Sequence, residues 1–125
     1  MMMSKVYSKM DFFTLKIAEF LGTEICISQS DGEKVFKEIY SRFQRNERVN
    51  LSFANVKFLI SAFLNPSLGM LYKYYTPEYL NENLKLSEIA PSQMAMVKEV
   101  LRNAKEYYND QQKAMRDLED AEESI

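Results

Sequence analysis

The chain of 125 residues contains no histidine. That absence removes the commonest general base, the commonest zinc ligand and the side chain that titrates nearest neutral pH. The single cysteine, Cys26, lies in the alternating stretch Glu24-Ile25-Cys26-Ile27-Ser28 and reads as a buried structural thiol. Without a histidine, and with Cys26 in a strand, neither a Ser/His/Asp nor a Cys/His arrangement can be built. Gly22, Gly32 and Gly69 are isolated, so no glycine loop cradles a phosphate. The acidic residues fall mostly on helix faces, at helix starts or in the terminal run, where carboxylates are usually solvated. Tyr72-Lys73-Tyr74-Tyr75 could stack on bases, but no dense basic patch accompanies it. The expectation is a protein without catalytic residues, metal or cofactor. The weakest alternative is a carboxylate site at the end of the third strand.

Elements that would position a site must be those of one folded domain. A chain of this length encloses a real core, and 46% hydrophobic with 27% charged residues is a globular composition. A formal charge of −2 supplies no global attraction for nucleic acid or anionic membrane. No window approaches the ~20 apolar residues that span a bilayer, and one thiol permits no internal disulfide. These features lead us to expect a cytoplasmic protein with no membrane and no nucleic-acid partner.

Residues 12–19 alternate, with Phe13, Leu15 and Ile17 against Thr14, Lys16 and Ala18, which is the period of a half-buried strand. Gly22 marks a turn before a second short strand at 24–28, and the two suggest a hairpin. Ser30 and Glu33 have capping-box spacing, and Val35, Phe36, Ile39, Tyr40 and Phe43 recur helically, predicting a helix over 31–44. Arg42, Arg45 and Arg48 surround its exit, where cations suit the helix terminus. A third strand follows at 49–53, then a connection at 54–60. A helix from Ser61 runs along Phe63, Leu64, Leu68, Leu71, Tyr72 and Tyr75, with Pro66 in an early turn. Thr76-Pro77 caps a short helix, and Leu84, Leu86 and Ile89 supply a last strand. The predicted order is strand, strand, helix, strand, helix, strand, helix, with crossovers right-handed.

A long helix from Ser92 steps through Met94, Val97, Leu101, Ala104 and Tyr108, and the stepping continues through Gln111, Met115 and Leu118. Its first half is apolar enough to dock on a sheet, while the end is dominated by Asp117, Glu119, Asp120, Glu122 and Glu123. Such an end is either a solvated tail or a partner-binding arm. Three segments result: 1–11 as a leading segment, 12–109 as the domain and 110–125 as an acidic tail.

Several runs carry a family resemblance: Val49-Asn50-Leu51-Ser52-Phe53-Ala54-Asn55-Val56, then Ile60-Ser61-Ala62-Phe63-Leu64-Asn65, then Leu68-Gly69-Met70-Leu71-Tyr72. Asp31-Gly32-Glu33 and Ala104-Lys105-Glu106-Tyr107-Tyr108 add to them. Together they resemble the STAS-like domain family of unassigned function, over roughly 12–109. The resemblance implies a mixed α/β fold with a sheet of about four strands, as in bacterial anti-sigma factor antagonists. It also implies a protein-binding switch whose partner is a kinase-like ATPase or an anti-sigma-type regulator. Asn55, Lys57, Phe58, Ser61 and Asn65 would form the docking surface, with Tyr72 and Tyr75 packed behind it. Ser61 matches the regulated helix start and is either a phosphoacceptor or a simple N-cap worth roughly 1 kcal/mol. Ser52 stands where many relatives have aspartate, and Ala62 where a second serine can stand. The alternative is a homo-oligomeric scaffold or adaptor built on the long C-terminal helix.

Overall fold

Ile17 and Leu21 are four residues apart, so helical spacing competes with alternation from Ile17 onward. In the computed structural model, which describes residues 11–123, the strand β1 is only Phe13–Lys16. Helix α1 (Ile17–Leu21) follows, closed by Gly22 in the left-handed conformation. The predicted strand over 12–19 is thus half strand, half helix. With α1 between them, β1 and β2 (Ile25–Cys26) do not form a hairpin. β2 instead pairs parallel with β4 (Phe58–Leu59), inside the segment expected as a plain connection.

The main sheet has three parallel strands in the order β1, β3 (Val49–Ser52), β5 (Leu84–Ser87), and β2–β4 is a separate two-stranded sheet. One mixed sheet of about four strands is therefore corrected to two parallel sheets. Leu15, Leu51 and Leu86 are in register on the apolar side. The opposite side carries Thr14, Asn50 and Lys85, then Lys16, Ser52 and Ser87. Parallel sheets are usually apolar on both faces; here the second face is polar. Asn50 Nδ2 donates to Thr14 Oγ1 at 3.3 Å, and the buried Ser52 hydroxyl donates to Glu88 Oε2 at 2.9 Å.

Helix α2 (Gln29–Gln44) buries Val35, Ile39 and Phe43, four residues apart along one side. Its cap is Ser28, not Ser30: Ser28 Oγ accepts the Asp31 amide at 3.1 Å. Ser28 and Asp31 have the same three-residue spacing as the expected pair one turn boundary later. At the exit, Arg42 pairs with Glu38 (2.9 Å) and Glu47 (3.0 Å), and Arg45 pairs with Glu47 (3.3 Å). Arg48 donates to the Glu82 carbonyl and covers the Phe12 ring. These arginines are engaged in intramolecular contacts.

The helix from Ser61 is not continuous. It runs as α3 (Ser61–Leu64), a π-helical turn (Asn65–Gly69) and α4 (Leu71–Tyr74). Pro66 has no amide hydrogen for the carbonyl four residues back, and the ladder widens by one residue around it, with Met70 N donating to Asn65 O at 2.9 Å. The buried Ser67 hydroxyl donates to Phe63 O at 2.9 Å within the widened turn. Helix α5 (Pro77–Asn83) is capped by Thr76, as its sequence predicts.

The last helix, α6 (Pro91–Glu123), packs along α3, the π turn and α4 rather than lying chiefly on the sheet. Val97, Val100 and Ala104 are buried there. Beyond Tyr108, every side chain described up to Arg116 is exposed. The core joins the apolar sheet face to α2, α3, the π turn and α6.

α2 approaches α3 and the π turn closely at Gly32. A Cβ on Gly32 would stand 2.5 Å from Phe63 O and 2.7 Å from Pro66 Cγ. Neither a carbonyl nor a proline ring yields cheaply. Gly32→Ala is expected to cost about 1–3 kcal/mol by overpacking, despite alanine's better helix propensity. Urea unfolding of both forms checks this, and a stabilised variant would contradict the geometry.

Candidate functional site

A two-residue strand pair has two faces, and here both are apolar. Ile25 stands opposite Phe58, and Cys26 opposite Leu59. Cys26 and Leu59 are buried in the core, while Ile25, Phe58, Ile27 and Ile60 are 42–62% exposed. By the two-residue period these four share one side, with Ile27 and Ile60 extending it past the strands. Backbone bonds hold the pair: Lys57 N to Glu24 O at 2.9 Å and Ile60 N to Cys26 O at 3.3 Å. A contiguous exposed patch of this kind commonly marks an interaction surface.

The residues expected at this surface fall around it unevenly. Phe58 is its most exposed member. Lys57 lies at the rim, paired with Glu24 at 3.3 Å in a solvent-exposed bridge of small energetic weight. Asn55 is exposed in the preceding turn with φ 65°, a conformation asparagine tolerates better than most residues. Ser61 is exposed at the first position of α3, but the N-cap is Ile60 and no side chain caps this helix. The N-cap reading of Ser61 is therefore corrected, because β4 pairing keeps Ile60 extended and shifts the helix start by one residue. The strand before Ser61 is β4 of the small sheet, not a central strand.

Asn65 is exposed one turn on, at a groove of about 500 Å³ between the π turn and α6. Tyr72 and Tyr75 do not back the apolar patch. Tyr75 packs on Phe43 and Tyr79 and accepts a hydrogen bond from Gln44 Nε2, at the far end of α2. Tyr72 and Tyr75 also line a cleft of about 630 Å³ against α6. Sequence reasoning missed Ile25 and Ile27. The available signal was the pair of uninterrupted apolar triplets, Ile25-Cys26-Ile27 and Phe58-Leu59-Ile60, which leave one face of an alternating strand without a polar residue.

Behind the patch, burial pushes the Cys26 thiol from its ordinary 9.0 up to about 11, with the Asp31 carboxylate adding to the effect. Among the described residues no group of three or more His, Cys, Asp or Glu could hold a metal ion. Nor is any described helix long and apolar enough to cross a membrane.

The fold and site define a small parallel α/β domain with an exposed apolar strand pair beside a helix start. The chain belongs to the family of STAS-like domains of unknown function (DUF4325), whose pattern matches residues 31–94, just over half its length. The match runs from α2 into the first turn of α6, so it contains β3, β4 and α3 but not β2. No curated protein and no solved structure matches the chain.

Two outcomes follow from the strand pair. Phe58→Ser should change stability by no more than about 0.5 kcal/mol, whereas Leu59→Ala should cost about 2–4 kcal/mol; chemical denaturation separates them. For the thiol, the unfolded chain loses its proton first as pH rises. Stability is therefore full below pH 9.0 and declines toward pH 11, by on the order of 2–3 kcal/mol. Unfolding of Cys26→Ala across the same range should show correspondingly less decline, since Tyr72, Tyr75 and Tyr79, whose hydroxyls burial also pushes up, remain in both proteins.

Proposed function

We propose that this chain is a non-enzymatic regulatory module that docks a protein partner through the outer face of β2–β4 and the start of α3. The observation that carries the reading is the exposed set Ile25, Ile27, Phe58 and Ile60, packed as a patch beside Asn55, Lys57 and Ser61. Burying those four side chains under a partner supplies the apolar centre of an interface, and Lys57, Glu24 and Asn55 supply its polar rim. Membership of a STAS-like family supports a regulatory role. The resemblance of 49–72 to anti-sigma factor antagonists favours a kinase-like ATPase or an anti-sigma-type regulator as partner. Asn65 lies at the edge of this surface, nearer α6.

Ser61 is the residue at which such docking would be switched. A phosphate there adds about −1.5 to −2 charges next to apolar side chains that a partner must cover. The cost would fall on binding, with little effect on the fold.

A photoreactive residue in place of Phe58 should cross-link one partner in cells, which is then purified for titration. Phe58→Asp is expected to weaken binding at least tenfold, and Ser61→Glu to weaken it measurably, with circular dichroism unchanged. Full affinity in both variants would rule out this surface.

A further inference from the structure

We propose that the groove between the π turn and α6 is a binding site for a small uncharged molecule carrying a carboxamide group on a flat apolar body. The groove measures about 500 Å³, within the range of ligand sites. None of its ten lining residues is charged, in a chain with 27% charged residues. The cleft of about 630 Å³ that shares Tyr108 with it is the contrast, because Glu78, Arg102, Lys105 and Glu106 line that one. Both run along the same helix. The uncharged wall is therefore a property of this groove and not of α6 as a whole.

The ligand's chemistry follows from what the walls offer. Gly69 and Ala104 meet at the floor, where a Cβ on Gly69 would stand 3.5 Å from Ala104 Cβ and 3.7 Å from Asn65 Oδ1. The π turn brings Asn65, Pro66 and Met70 to one wall, and α6 brings Asn103, Tyr107 and Tyr108 to the other. Widened turns of this kind recur at functional sites. Tyr108 is positioned by its hydroxyl, 3.6 Å from Met70 Sδ, and Tyr107 meets its ring edge-on at 4.8 Å. These apolar surfaces suit a flat ring. The side-chain amides of Asn65 and Asn103 and the Tyr107 hydroxyl have no hydrogen-bond partner among the described residues. Each amide presents a donor beside an acceptor, a pattern that a carboxamide complements with two hydrogen bonds. A charged ligand would lose hydration here and meet no opposite charge. The site uses none of Ile25, Ile27, Phe58 and Ile60 and does not rest on the docking reading.

Benzamide, benzoate and benzamidine share one ring and differ in charge, so together they probe the site. Titrated into the isotope-labelled full chain, benzamide should saturably shift the side-chain amide signals of Asn65 and Asn103 and the backbone signals of Gly69 and Ala104. So small a molecule should bind with a millimolar Kd. Benzoate and benzamidine should bind at least about fivefold more weakly. Asn103→Asp, at an exposed position, should keep the helical content and reverse the order, with benzamidine bound best through the new carboxylate. Phe58→Asp should leave benzamide binding as it is. The proposal is overturned if benzamide gives no saturable shift at these residues. Equal affinity for all three probes, or an unchanged order in Asn103→Asp, also overturns it. So does loss of binding in Phe58→Asp, which would put the probe on the strand pair.

Discussion

The backbones of α2 and α3 meet where Gly32 faces Phe63 O and Pro66, and that approach dictates the geometry of the surface beside it. Each helix is entered directly from a short strand, β2 before α2 and β4 before α3. Two strand–helix units whose helices touch at their first turns must bring their strands side by side in the same direction. The parallel pairing of Ile25 with Phe58 and Cys26 with Leu59 is the result. A side chain at position 32 would push the units apart and loosen the strand pair, although neither strand would be altered.

The small sheet is held from below. Cys26 and Leu59 are buried in the common core, so the pair survives at two residues per strand, a length too short to persist on its own. Because both triplets are apolar throughout, anchoring one side leaves the other side, Ile25, Ile27, Phe58 and Ile60, facing water. The main sheet solves the same problem differently. Its second face carries Thr14, Asn50, Lys85, Lys16, Ser52 and Ser87; there Asn50 Nδ2 bonds to Thr14 and Ser52 to Glu88, while Asn50 Oδ1 and the Ser87 hydroxyl are buried without a partner among the described residues. The contrast between a polar outer face on one sheet and an apolar outer face on the other singles out β2–β4.

Much of the local structure was legible in the residues. The stripe Val35, Ile39, Phe43 announces α2, Thr76-Pro77 announces α5, and the stepping from Val97 to Tyr108 announces α6. Errors arose where two local signals competed within one turn. Ser28 and Ser30 offer equivalent caps, and Ile17 satisfies both the two-residue and the four-residue spacing. For the site, Phe58 and Ser61 stood out as a connection and helix start, but Ile25 and Ile27 did not. Their importance depends on a strand more than thirty residues away.

Composition and spacing alone settle that the chain has no histidine chemistry and that α2 and α6 are amphipathic. These depend on residue type and on periods of two or 3.6, which are local. Tertiary structure alone decided that β2 pairs with β4 rather than β1, that Ile60 rather than Ser61 caps α3, and which face of each apolar triplet is buried. Strand partners are chosen by where helices can pack, and that choice rests on close approaches such as the one at Gly32, between residues distant in sequence.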